Sequence, residues 1–291
     1  MKTTVINNKE YRYDVLIRNG DEGYDAVHIV QPCHNIIELT DLSVKCIKKY
    51  TEHSYVVWLV DNFSNRKTRN FISQLKDVNI IFNHTKIGTF FRPWHKIPYG
   101  GSLANAIALE LAAKVVNCKY MFVMHNDCVP CKKGWLSYLK SKLNDEVKIA
   151  GARQDPTRVK ALHQSGFIFV FELYKKLNLS FMHNMPIYDV GDQITLGLLK
   201  NGYKYFVCKN TFNNPETIEL LNSEEVYPDF LRKYVFDKCF NDDGELIYLH
   251  LGRGTLKHRD DFLKEKRLPT KDWIYFINKY FLEENEYDRR I

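Results

Sequence analysis

Four short runs hold the residues best suited to chemistry. His125-Asn126-Asp127 closes an apolar run, Tyr120 to Met124. A carboxylate at such an end suits a hard divalent cation with oxygen ligands, and an adjacent imidazole favours manganese over calcium. Asp127 would serve equally well as a cap for the helix expected from Trp135. Asp61-Asn62 closes a second apolar run, Tyr55 to Val60, and offers acceptors for a nucleobase or ribose, or a simple Asx turn. His250 ends a late run and precedes Gly252-Arg253-Gly254. The imidazole is a metal-ligand candidate, Arg253 and nearby amides suit phosphate oxygens, and a structural histidine is the plain alternative. Asp189 and Asp192 flank the start of an amphipathic helix, where a carboxylate suits either a general base on a hydroxyl or a cap.

Cys128 and Cys131 form a lone C-x-x-C. A structural zinc site needs four ligands and no second such pair exists, while a redox dithiol remains open.

The elements that must position these groups follow from hydrophobic periodicity. Ala26–Val30, Tyr55–Val60, Val78–Phe82 and Tyr120–Met124 read as strands. Helices are expected between them, over 36–50, 68–75 and 103–116, the last with Ser102 as its cap. Strands alternating with helices predict an α/β domain with a mostly parallel central sheet flanked by helices. Ligands in such sheets bind beyond the carboxyl ends of the strands, the edge shared by Pro32, Asp61 and His125. The later half predicts a helix over 135–143, a strand over 166–171 with a helix behind it, a helix over 192–200, strands over 203–208 and 246–250, and a helical C-terminal tail. The organisation expected is an N-terminal extension over 1–25, a main domain over 26–258 and a helical segment over 259–291.

The 291 residues and 45% hydrophobic content suffice for a sizeable core and exclude a disordered or fibrous chain. Forty-two Lys and Arg against 35 Asp and Glu give +7, spread along the chain. That balance suits a solvated surface, or an anionic partner such as a nucleotide diphosphate, an anionic lipid or a nucleic acid. No apolar run reaches the roughly 20 residues of a membrane span. A polar start without a secretory signal and an odd seven cysteines predict a cytoplasmic chain with reduced thiols.

Taken in order, the pieces resemble the GT-A fold of glycosyltransferase family 2. Val30-Gln31-Pro32-Cys33-His34-Asn35 is similar to the family's first strand and Pro-x-x-Asn loop. Leu59-Val60-Asp61-Asn62-Phe63-Ser64 is similar to its base-binding Asp-Asn-x-Ser. Gly100-Gly101-Ser102-Leu103-Ala104-Asn105 resembles the glycine-rich helix start, and Met121 to Asp127 falls where the family's Asp-x-Asp lies. Asp189 to Tyr203 resembles the acidic catalytic segment, and His250 a late metal-binding histidine. The likeness spans residues 26–255. It departs at His125, where the family has an acid, and at Gly191, where the family has an acidic pair in tandem.

The resemblance implies a Rossmann-like nucleotide-diphospho-sugar transferase that uses Mn²⁺ or Mg²⁺. Pro32, Asn35, Asp61, Asn62, Gly101, Asn105, Asn126 and Arg253 would bind the donor nucleotide. Asp127, His250 and His125 would hold the metal, and Asp192, with Asp189 as the alternative, would be the base of an inverting transfer. The expected acceptor is a glycan or lipid-linked saccharide. A hydroxylated base in DNA is an alternative acceptor, to which the basic-aromatic stretch Phe90 to Lys96 is suited; that stretch equally suits a lid over the donor. A non-catalytic binding domain of the same fold is a third reading.

Overall fold

A computed structural model describes residues 1–19, 24–88, 98–154, 159–214, 217, 228–252 and 268–283. It opens with a hairpin, β1 (Lys2–Ile6) and β2 (Lys9–Leu16). Then come β3 (Val27–Cys33), α1 (Ile37–Tyr50), β4 (Tyr55–Asn62), α2 (Arg66–Ile72) and β5 (Asn79–Asn83). The middle holds α3 (Gly100–Val115), β6 (Tyr120–Met124), β7 (Cys128–Pro130), α4 (Trp135–Ser141), β8 (Val147–Gly151), β9 (Gly166–Val170) and α5 (Glu172–Lys176). The rest is α6 (Asp192–Lys200), β10 (Lys204–Val207), β11 (Lys209–Asn210), α7 (Pro228–Lys233), β12 (Asp237–Phe240), β13 (Leu246–His250) and α8 (Thr270–Ile277), which runs into a π-helical turn, Asn278–Leu282.

These elements divide into two compact units. One comprises Met1–Ile37, His53–His125 and Leu139–Val207, the other Glu38–Glu52, Asn126–Tyr138 and Cys208–Ile291. The first is the expected α/β fold. Its nine-stranded sheet has the order β1-β2-β5-β4-β3-β6-β9-β8-β10. Seven strands run the same way, and only β2 and β9 run against them. The central strands are apolar on both faces, as a covered parallel sheet requires: Val27, Ile29, Val30, Val57, Leu59 and Val60 are fully buried. Their register sets Cys33 opposite Asp61, and Asn62 opposite Asn83, so the carboxyl ends of β3, β4 and β5 finish level.

Helix α3 packs on β3, β4 and β5 through Ala106, Ala108, Ala112 and their neighbours. Ser102 does not cap it. The helix starts at Gly100 after Tyr99, which takes a left-handed φ of 56° with no side-chain cap bond. Gly100 and Gly101 are already helical, so Ser102 lies inside the first turn. Helix α2 instead has a side-chain cap, Asn65, whose oxygen accepts the Thr68 N–H at 2.9 Å. Helix α6 lies so close to Leu179 that a Cβ on Gly197 would meet Leu179 Cδ2 at 2.3 Å.

The second unit contains a four-stranded antiparallel sheet, β11-β12-β13-β7. Trp273 and Phe276 of α8 are buried, and their rings meet Phe236. Asp127 leads into β7, not into a helix, and α4 begins only at Trp135, so the capping alternative for Asp127 is not the one observed. All seven cysteines are buried and none forms a disulfide. Burial raises the thiol pKa well above its usual value at Cys33, and to about 12 at Cys118. Among the described residues no helix is long and apolar enough to cross a membrane.

Candidate metal and donor site

Strand pairing brings Asp127 to His250. Across the β7–β13 ladder, His250 pairs with Cys128, and the Leu251 N–H donates to the Asp127 carbonyl at 3.0 Å. His250 Nε2 lies 3.5 Å from Asp127 Oδ1. On its other side His250 pairs with Asp237 of β12, and the Asp237 Oδ2 lies 2.7 Å from His250 Nδ1. Nδ1 faces the Asp237 carboxylate, which leaves Nε2 as the nitrogen turned toward Asp127. Both side chains are almost fully buried, at 5% and 6% exposure.

This donor set fits a divalent cation. Two ligand atoms about 2.1 Å from one ion, at angles near 90–110°, are roughly 3.0–3.5 Å apart. The 3.5 Å separation of His250 and Asp127 falls at the end of that window. A carboxylate behind the far nitrogen of a ligating histidine is the usual second support of such sites. His125, two residues before Asp127 in the sequence, closes a segment of the first unit.

The His125 ring has its own partners. The Asn105 amide, on α3, lies 3.1 Å from His125 Nε2, and the His163 ring meets it edge-on at 5.7 Å between centroids. Fully buried Gln31 donates from its amide to the His125 carbonyl at 3.1 Å. Asn126 is half-buried between the two candidate ligands in sequence.

The nucleotide-binding candidates at the ends of β3 and β4 form one hydrogen-bonded patch. Exposed Asn35, left-handed at φ 54°, receives the Asn65 N–H at 2.7 Å and donates its own N–H to Ser64 Oγ at 3.0 Å. Asp61 is fully buried; Arg69 Nε donates to its Oδ2 at 2.8 Å, and the Ser64 N–H lies within reach of both oxygens. Burial pushes the Asp61 carboxyl above the ordinary range, with Ser64 and Arg69 pulling the other way. Asn62 donates to the Ala104 carbonyl, and its oxygen accepts from Asn83 at 2.9 Å. Asp61 and Asn62 therefore hold the loop in shape, while Asn35, half-buried Pro32 and exposed Gly101 face outward around it. Arg253 and the Phe90 to Lys96 stretch lie outside the described residues.

At the acidic segment, Gly191 has φ +77°, a left-handed turn that disfavours a side chain, which accounts for the glycine before Asp192. Asp192 is fully buried at the first turn of α6, and its Oδ2 accepts the Asp189 N–H at 2.7 Å. Asp189 is half-buried, with Oδ1 on the Val190 N–H at 2.8 Å. Asp237, Gln31, Arg69 and His163 have no motif in the sequence. Asp237 sits in a polar pair, Asp237-Lys238, between Phe236 and Cys239-Phe240, which breaks the period-2 alternation of a strand and hides it.

No family model matches the chain, and no curated protein matches it. Solved structures do. A mannosyltransferase from Pyrobaculum calidifontis, in complex with GDP-Man and Mn²⁺, is similar at 16% identity and a TM-score of 0.48, over 64% of this chain and 56% of that one. S. aureus TarS 1-349 is similar at 12% identity and 0.46, over 62% and 57%, and so is its complex with UDP-GlcNAc, over 62% and 55%. The chain thus spans little more than half the length of these structures.

Proposed function

We propose that this chain is a metal-assisted glycosyltransferase that draws its sugar from a nucleotide-diphosphate donor. The observation that carries the reading is the Asp127–His250 pair, backed by Asp237, on the chain next to His125 at the end of β6. Asp127 and His250 would hold the ion, with His125 as a third ligand. Imidazole in the set favours Mn²⁺ over Mg²⁺. When bound, the ion supplies Lewis-acid neutralisation of the departing diphosphate.

The chain's own residues do the rest. Asn35, Pro32 and Gly101 receive the nucleotide at the level ends of β3 and β4, with Asp61, Asn62 and Arg69 fixing the loop beneath; Asn126 and Arg253 are its further contacts. The acidic segment supplies the base. Asp189 has the accessible carboxylate and Asp192 anchors its backbone, so Asp189 is the better placed to take the acceptor proton. The acceptor oxygen then bonds to the anomeric carbon as the bond to the diphosphate breaks, and the leaving group takes the electron pair. A single displacement inverts the anomeric configuration. A glycan or lipid-linked saccharide hydroxyl is the acceptor this chemistry serves.

Incubation with UDP- and GDP-sugars, with and without Mn²⁺, tests the reading. Metal-dependent release of nucleoside diphosphate is expected, and a product of retained configuration would sink the inverting step. Binding is read independently as a melting shift, since about 2.7 kcal/mol of stabilisation accompanies a hundredfold excess of ligand over its dissociation constant.

A further inference from the structure

One residue of the first unit, close in sequence to the acidic segment, has an unmet need. Gln164 is only 4% exposed, and its Oε1 is buried and accepts no hydrogen bond from the described residues. A buried carbonyl left in that state is costly unless a ligand or water supplies a donor. Its neighbours place it. The ring of the preceding residue, His163, touches His125. Its own Cβ packs beside Gly191, where a Cβ would come within 3.6 Å of it, directly before Asp192. Residues 163 and 164 therefore run from beside His125 to beside Gly191 and the acidic segment. In a transfer reaction the migrating sugar occupies that interval.

The geometry points to Gln164 as a specificity-determining residue that accepts a hydrogen bond from a hydroxyl of the transferred sugar. The inference rests on the glycosyltransferase reading above. The chemistry selects the partner. A lone carbonyl oxygen repels phosphate oxygens and attracts O–H donors, so the diphosphate is excluded and a sugar hydroxyl is not. Gly191 takes φ +77°, a backbone that a side chain would strain, and a Cβ there would lie in van der Waals range of Phe167 and of the Gln164 Cβ. A site built to bond a hydroxyl discriminates strongly against a substrate that does not present it.

The test is donor hydrolysis without acceptor, over the epimer pairs UDP-glucose and UDP-galactose, UDP-GlcNAc and UDP-GalNAc, and GDP-mannose and GDP-glucose. Gln164→Met keeps the side chain's length and removes the acceptor. It is expected to lower kcat/KM for the preferred donor about tenfold and to bring that donor and its epimer close to parity. Gln164→Glu keeps an acceptor oxygen and should retain the preference, which guards against a mere folding defect in the methionine variant. Unchanged epimer ratios in Gln164→Met would overturn the assignment while leaving the enzyme reading intact. A wild-type chain that neither hydrolyses nor is stabilised by any of these donors with Mn²⁺ would overturn both.

Discussion

Asp237 Oδ2 lies 2.7 Å from His250 Nδ1, and this contact decides which nitrogen His250 can offer. Asp237→Asn keeps the shape of the side chain and loses its charge. Mn²⁺ affinity should fall about 10- to 100-fold, the usual cost of losing such support. Calorimetric titration of Mn²⁺ reads it directly, and an unchanged dissociation constant would remove His250 from the metal site.

Asp127→Ala should abolish metal-dependent release of nucleoside diphosphate and erase the melting shift with Mn²⁺. Full activity in that variant would refute the assignment. The ladder contact here is the Asp127 carbonyl, which alanine retains.

Substituting the two acids separates their roles. Asp189→Asn should lower kcat by roughly 10²- to 10⁴-fold with little change in donor binding. Asp192→Asn keeps an oxygen for the Asp189 N–H and should cost less. The opposite ranking would return the base to Asp192.

Lys238 provides a pH signature for the second unit. Its side chain is buried on β12, with Nζ donating to the Tyr234 carbonyl at 2.9 Å and lying 4.1 Å from the Phe236 ring centre. Burial pushes its pKa down to about 8, against a smaller opposing pull from Asp237. The folded chain thus releases this proton near pH 8, whereas the unfolded chain holds it to about 10.4. The unfolded state binds more protons in that window, so stability should rise with pH there, by about 3 kcal/mol at most. Urea unfolding of wild type and Lys238→Met at pH 7 and pH 10 checks the sign: the wild type should gain on the variant at the higher pH.

Gly197→Ala should destabilise the first unit by about 1–3 kcal/mol, because the new methyl must displace Leu179. A lowered melting temperature is the readout, and an unchanged one would mean that Leu179 moves aside at no cost.

The sequence made the first unit's central sheet plain, and the second unit's sheet much less so. β3, β4 and β6 are buried on both faces, so their apolar runs are continuous and end at the ligand edge. β7 is three residues long, and β12 carries Asp237 and a buried lysine, so neither shows an apolar run. Asp127 and His250 were each legible as candidates, but their meeting depends on the register between β7 and β13, which no local pattern encodes. Asp61 shows the reverse. Its place at a strand end was readable, whereas its engagement by Arg69 depends on where α2 starts.

The buried thiols give the chain two internal clocks. Cys33 and Cys118 belong to the first unit, and Cys46, Cys128, Cys131, Cys208 and Cys239 to the second. An alkylating reagent attacks thiolate, so a thiol held inside and protonated is modified only while its surroundings are open. Site-resolved labelling would therefore time the opening of each unit separately, in a chain that has no disulfide to break first.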